Sequence, residues 1–175
     1  MEHGKIGRSM ENRPLEQSYI ADQRSPDVRS LPFGKSTVGD AGCELIACHN
    51  ALLSLGRFTP FESLRDEVCL HRLLWRRGKW GMRPRQMKKL LFSHGVRARF
   101  FFGGYEKLEK TCSPGDMVIL TTWNHKWWKN GLHSYFCLRK EEGWLCVNNR
   151  QRLLLPSLYE AARGRRLFAA LRIER

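Results

Sequence analysis

Residues Gly39–Gly56 read GDAGCELIACHNALLSLG, and this stretch decides which fold the sequence predicts. Its apolar residues recur at the three- and four-residue spacing of a helix that buries one face. The residues on this stripe are Leu45, Cys48, Leu52 and Leu55. Asp40 is suited to capping the start of the helix, and Gly56 to ending it. We therefore predict a helix from Cys43 to Leu55, with Gly42 and Cys43 at its beginning.

Cys43 is the candidate nucleophile among the six cysteines. A thiol in the first turn of a helix feels the positive end of the helix dipole and several unpaired N–H groups, and both favour the thiolate. Gly42 has no side chain to hinder a substrate carbonyl, and free N–H groups there would stabilise an oxyanion. Cys48 lies on the apolar stripe, which indicates a packing role. The sequence contains no CxxC pair, so a structural zinc site is not predicted. Most of the other cysteines are predicted to be reduced and buried.

Helices precede strands along the chain. Two further helices are predicted, over Pro60–Trp75 and from Pro84 to Gly95. The second half is rich in β-formers, with predicted strands at 96–102, 117–123, 132–139, 144–149 and 166–174 and short helices at 105–110 and 157–164. This order predicts an α+β protein in which an N-terminal helical side, including the Cys43 helix, packs on a C-terminal antiparallel sheet.

A thiolate nucleophile needs a histidine within hydrogen-bond reach and a third group that orients the imidazole. His133 begins an apolar strand after a glycine-containing loop, so a rigid element would hold its ring. Asn149, preceded by Asn148, ends the next strand, and a hairpin would bring that end back beside His133. An amide oxygen there would accept the ring N–H and fix the tautomer. The other histidines are interpreted as surface, boundary or loop residues: His3, His49, His71, His94 and His125.

The segments around these residues resemble a known family. STVGDAGCELIACHNALLSLG is similar to the nucleophile segment of papain-like cysteine peptidases, in particular the bacterial C39-like branch, where Thr-Ile/Val-Gly-x-x-Gly-Cys leads into a helix. GLHSYFCLRKEEGWLCVNN is similar to the Gly-x-His strand of that branch and to the hairpin that follows it. The resemblance covers residues 36–174 and implies a papain-like fold, with its specific motifs in the Cys and His segments.

The resemblance implies a cysteine peptidase, or thiol hydrolase, that cleaves a peptide or amide bond through a thioester. Cys43 is then the nucleophile, His133 the general base and acid, and Asn149 the orienting residue, with Asn148 as the alternative. No cofactor or metal is implied. An inactive relative or an acyltransferase on the same scaffold also fits these residues.

The oxyanion and substrate sites are less fully specified. Peptidases of this family often carry a Gln a turn or two before the cysteine as an oxyanion donor, and here that stretch reads KSTV, residues 35–38. Thr37, or the backbone N–H of Cys43 beside Gly42, would have to serve. Trp123, with Trp127 and Trp128 after it, is predicted to line the substrate cleft or to pin its loop to the surface.

The charge distribution favours anionic partners. The net charge is +14, and no acidic residue occurs between Glu67 and Glu106, where ten lysines and arginines lie. LLWRRGKWGMRPRQMKK interleaves Trp75 and Trp80 with these cations, as nucleic-acid-binding proteins do. An anion- or nucleic-acid-binding module is therefore the rival prediction, although a solvated basic face is the commoner meaning of such a run. A peptidase whose basic face docks an acidic protein or another polyanion combines the two.

The domain organisation and location follow from composition. Residues 1–34 are polar and aperiodic, which predicts an extended or disordered N-terminal arm, and residues 35–175 are predicted to form one domain. No run approaches the roughly 20 apolar residues of a membrane span. The first residues lack the apolar segment of a secretory signal, so the sequence predicts a cytoplasmic protein.

Overall fold

A computed structural model of the chain describes residues 18–124, 131–148 and 151–174. The helices are α1 (Pro26–Arg29), α2 (Val38–Ala41), α3 (Cys43–Ser54), α4 (Phe61–Leu70), α5 (Pro84–Ser93), α6 (Tyr105–Lys110) and α7 (Leu158–Ala161), with a 3₁₀ turn at Trp75–Gly78. The strands are β1 (Pro32–Phe33), β2 (Ser36–Thr37), β3 (Ala98–Phe101), β4 (Met117–Trp123), β5 (Leu132–Lys140), β6 (Gly143–Asn148), β7 (Gln151–Leu155) and β8 (Leu167–Ile173).

Six of the strands form one sheet in the order β3-β8-β4-β5-β6-β7, and every neighbouring pair is antiparallel. The sheet confirms the predicted α+β class with an antiparallel sheet in the second half. Strands β4 and β5 pair so that Thr122 lies opposite His133, which places this histidine where β5 begins.

Helices cover both faces of the sheet. Alternate residues of β5 point to opposite faces, so Phe136 joins the core formed with α3, α4 and α5, while Tyr135 joins a second core with α6 and α7. Helix α3 packs against β5, α4 and α5, and ten of its twelve residues are buried. The helix is therefore buried on more faces than the single apolar stripe predicts, because β5, α4 and α5 pack on different sides of it.

The N-terminal part differs from the predicted arm. Tyr19, Val28 and Phe33 are buried in the core, and a β1–β2 hairpin crosses the predicted boundary at residue 34. Residues 18–34 therefore belong to the domain, because three apolar side chains are enough to anchor a segment that has no periodic pattern. Residues 1–17 lie outside the part that the structure describes.

Two other elements differ from the sequence-based prediction. Helix α4 ends at Leu70 instead of Trp75, because Arg72 adopts a left-handed conformation (φ 53°) that a helix cannot contain. Strand β7 was not predicted; it forms the sheet edge beside β6 and is mostly exposed, so its sequence carries no alternation. Among the described residues, no helix combines the length and hydrophobicity needed to cross a bilayer.

Candidate active site

Cys43 is the first residue of α3, as predicted, and Gly42 precedes it as the N-cap. The capping of α3 that was predicted for Asp40 is not observed. Asp40 lies in α2 and accepts a hydrogen bond from the Thr37 hydroxyl at 2.9 Å, and no side chain caps α3. A Cβ at Gly42 would lie 2.6 Å from the carbonyl oxygen of Val38. The contact with Val38 therefore favours glycine between α2 and α3, and the substrate-binding role of Gly42 stays a prediction.

The fold brings His133 to Cys43. Both residues line one groove of about 380 Å³, which we call the Cys43 groove, and both line a smaller pocket next to it. The backbone of Ser134, the next residue of β5, interacts with the Cys43 thiol. The His133 ring packs edge-on against Tyr135, with ring centroids 4.7 Å apart. Residues 90 positions apart in sequence therefore meet where α3 and β5 both begin.

Polar side chains from four other segments complete the Cys43 groove. They are Asp22, Gln23, Arg24, Asp40, Asn124 and Arg165. The Arg165 guanidinium donates to the Tyr135 hydroxyl at 2.8 Å, so it supports the ring on which His133 packs. The Gln23 amide donates to the Gly39 carbonyl at 2.9 Å, which ties the segment before α1 to helix α2, just ahead of Cys43. The groove thus offers cationic and amide donors around the thiol.

Neither Gln23 nor Arg165 was predicted as a site residue. Gln23 stands 20 positions before Cys43, inside the segment predicted as an arm, and it lines the same groove because the chain turns back through the β1–β2 hairpin before α3 begins. Arg165 follows α7 and comes to the groove through the pairing of β8 with β4. Their sequence neighbourhoods carry no signal for such a role.

Burial and, after it, the neighbouring Glu44 determine the electrostatics of the Cys43 thiol. The Glu44 side chain is only 2% exposed, and its Oε2 has no hydrogen-bond partner within the described residues. Burial raises the pKa of Glu44 to about 7. Burial also raises the pKa of Cys43 well above its ordinary value, and the neighbouring charge of Glu44 raises it further. The helix terminus therefore does not produce the resting thiolate that the sequence predicted, because burial and a buried carboxylate outweigh it.

We expect Glu44→Gln to accelerate alkylation of Cys43 by iodoacetamide. Removing the charge lowers the pKa of Cys43, and each unit of pKa increases the thiolate fraction about tenfold at a fixed pH below it. The acceleration should be large at pH 8, where Glu44 is ionised in the native protein. It should shrink below pH 6, where Glu44 is protonated and the two proteins carry the same local charge. The measurement is the alkylation rate at each pH, followed by mass spectrometry.

The exposed Glu62 on α4 supplies a matched control, since Glu62→Gln makes the same chemical change away from the thiol. The alkylation rate of Cys69, which is partly exposed, reports any general loosening of the fold. An alkylation rate of Cys43 that falls in Glu44→Gln would contradict the electrostatic role, and would instead show that Glu44 takes up the thiol proton.

The remaining predicted site residues have mixed outcomes. Asn149 lies outside the described residues, and of Asn148 only the backbone is described, paired with Gln151 at the end of β6. Thr37 is not among the residues that line the groove, and its hydroxyl is engaged by Asp40. Trp123 is 42% exposed at the end of β4 and packs edge-on against Phe168.

The other cysteines and histidines have structural environments. All six cysteines are free, and Cys48 is fully buried in the core, as its packing role predicts. His94 pairs with Glu67 at 2.8 Å, and His49 packs edge-on against Phe61. Residues His125, Trp127 and Trp128 lie outside the described part of the chain. Within that part, no three His, Cys, Asp or Glu side chains cluster as metal ligands would.

No family model matches the sequence, and no curated protein is significantly similar to it. What the site can do must therefore be argued from its residues. A thiol, an imidazole and an amide line one groove, and this set is suited to acyl transfer.

Proposed function

We propose that this protein is a cysteine peptidase-like hydrolase that cleaves a peptide or amide bond through a thioester on Cys43, on a papain-like scaffold of the C39-like type. The observation that carries the proposal is that Cys43, at the start of α3, and His133, at the start of β5, line the same groove. The order of elements also supports it, because a nucleophile helix precedes a sheet that carries the histidine.

The nucleophile forms during the attack. Because the pKa of Cys43 is raised, its thiol is neutral at rest. Neutral His133 accepts the thiol proton as sulfur bonds to the substrate carbonyl carbon, and the carbonyl oxygen becomes an oxyanion. The imidazolium then protonates the leaving amine as the C–N bond breaks, which leaves a thioester. Water then attacks the thioester while His133 takes its proton; as the C–S bond breaks, the imidazolium returns that proton to sulfur, and the acid and the free thiol are released.

Gln23 is suited to stabilise the oxyanion. It lines both the Cys43 groove and the smaller pocket, and one N–H of its amide remains after the bond to the Gly39 carbonyl. An amide donor of this kind contributes about 3 kcal/mol to the transition state in acyl transfer. Gln23 therefore replaces Thr37 in the proposed mechanism. Asn149 keeps its proposed role as the residue that orients His133, with Asn148 as the alternative.

The dependence of Cys43 reactivity on His133 tests this function. In His133→Ala we expect alkylation of Cys43 by iodoacetamide at pH 7 to slow by at least about tenfold, because the base that removes the thiol proton is absent. The rates are measured against pH by mass spectrometry. His71→Ala, an exposed histidine that follows α4, is the control and should leave the rate unchanged. Equal rates in His133→Ala and the native protein would refute the Cys–His pair.

A further inference from the structure

An aromatic cleft of about 530 Å³ adjoins the Cys43 groove. Its walls come from Trp75 in the 3₁₀ turn, Phe100 and Phe102 at the end of β3, and Phe168 on β8. Phe102 is 89% exposed and Phe168 is 45% exposed. Large aromatic side chains grouped at a concave surface mark a site that another molecule covers. The volume lies in the range of cavities that hold a small ligand or a few residues of a peptide.

Two arginines give the aromatic cleft a charge. Arg83 and Arg85 line it, and no aspartate or glutamate is among the described lining residues. The Arg83 guanidinium lies over the Trp75 ring, 4.5 Å from its centroid, so the ring holds this cation in place. Arginine binds carboxylates through paired N–H donors. The aromatic cleft therefore combines apolar walls with two cationic donors for an anion, of which Arg83 is held by the Trp75 ring.

Leu132 connects the aromatic cleft to the reacting groups. It lines both the aromatic cleft and the Cys43 groove, and it is the neighbour of His133 in β5. A peptide that crosses Leu132 thus contacts both the aromatic cleft and the Cys43 groove.

We propose that the aromatic cleft is the substrate-binding site for a peptide segment that carries a large apolar side chain next to one or more carboxylates. The apolar side chain packs among Phe100, Phe102 and Phe168, and the carboxylates pair with Arg83 and Arg85. This inference rests on the proposed function, because it assumes that the bound peptide continues from the aromatic cleft toward the Cys43 thiol. It also gives the basic segment 73–89, which contains Trp75 and Trp80, a role in binding the substrate.

Arginine and aromatic side chains also bind single-stranded nucleic acid, by pairing with phosphates and stacking on bases. The geometry favours a peptide for two reasons. One face of the Trp75 ring is already covered by the Arg83 guanidinium, 4.5 Å from the ring centroid, so that face is not free to stack on a base. The cavity also leads to a thiol and an imidazole, whose chemistry acts on acyl groups.

Binding is tested on the full-length Cys43→Ala protein, which cannot turn the peptide over. Two peptides are titrated by calorimetry at low salt: acetyl-Glu-Glu-Phe-Gly-Gly-amide and the same peptide with Gln in place of both Glu residues. We expect the Glu peptide to bind at least about tenfold more tightly. Arg85→Glu should remove this preference, and Phe102→Ala should weaken both peptides several-fold, because the phenyl contact is lost from each.

Two matched variants separate the aromatic cleft from the rest of the surface. Arg97→Glu makes the same charge change just before β3, at the end of that strand away from Phe102, and should leave the preference for Glu intact. Phe92→Ala removes another exposed phenyl ring, on α5 and outside the cleft lining, and should change neither affinity.

Several results would overturn the inference. They are equal affinity for the Glu and Gln peptides, an equal effect of Arg97→Glu and Arg85→Glu, tighter binding of a ten-residue oligo-dT than of the Glu peptide, and no binding of either peptide. The alkylation experiment on His133→Ala uses no peptide. A negative result in the peptide titration therefore does not bear on the Cys43–His133 pair, which the alkylation experiment tests separately.

Discussion

Replacing Cys43 with alanine is expected to reduce hydrolysis of a peptide amide at least about 10⁴-fold, because the nucleophile of a covalent mechanism has no substitute. The free energy of unfolding should change by less than about 1 kcal/mol, since the substitution removes one sulfur atom at the edge of a groove. The rate is followed with an acetyl-Glu-Glu-Phe peptide that carries a fluorogenic amine, and stability by urea unfolding.

Cys48→Ala is the matched control, because it makes the same change on the same helix. Cys48 is fully buried and has no access to the Cys43 groove. We expect this variant to lose about 1 kcal/mol of stability through the small cavity and to keep the native rate of hydrolysis. If Cys43→Ala unfolds the protein, or hydrolyses the peptide as fast as the native chain, Cys43 has a structural role and the thioester mechanism fails.

Gly34→Ala is expected to destabilise the protein by about 3 kcal/mol, because a clash with backbone adds to the strain of an alanine at positive φ. Gly34 lies in the β1–β2 turn with φ +68°, and a Cβ there would lie 2.3 Å from the carbonyl oxygen of Arg77. That contact is against backbone, so relief requires moving the turn that carries Trp75 away from the hairpin. The turn is held in place by a hydrogen bond from the Lys35 N–H to the same carbonyl, at 2.7 Å. The measurement is the free energy of unfolding in urea.

Comparison with Gly56→Ala separates the steric cost of Gly34→Ala from the backbone strain. Gly56 has the same φ of +68°, and a Cβ added there meets no atom within 4 Å. It should cost only the backbone strain of an alanine in this conformation, about 1 kcal/mol. Equal losses in the two variants would mean that the turn moves aside freely. In that case the Trp75 wall of the aromatic cleft would not be fixed by the hairpin.

The main elements of the fold could be predicted from sequence where a local pattern coincides with burial. Helix α3 and strands β4 and β5 are long, apolar segments with clear ends, and their bounds were predicted within one residue. Strand β7 and the segment from residue 18 to residue 34 were not predicted. Their ordering depends on partners far along the chain, such as the β6 edge and the core around Phe33, and no local pattern records such a partner.

Local sequence patterns were sufficient to predict the longer helices and the strands of the second half other than β7, the start of α3 at Cys43 and the place of His133 at the beginning of β5. These follow from local spacing and from the chemistry of single residues. Only the tertiary structure decided that the two residues share a groove, that Gln23 and Arg165 join them, and that Glu44 lies buried beside the thiol. The physical reason is that proximity and burial depend on how distant segments pack. A pKa depends on the same packing, so the neutral thiol at rest follows from the folded chain and not from the helix terminus alone.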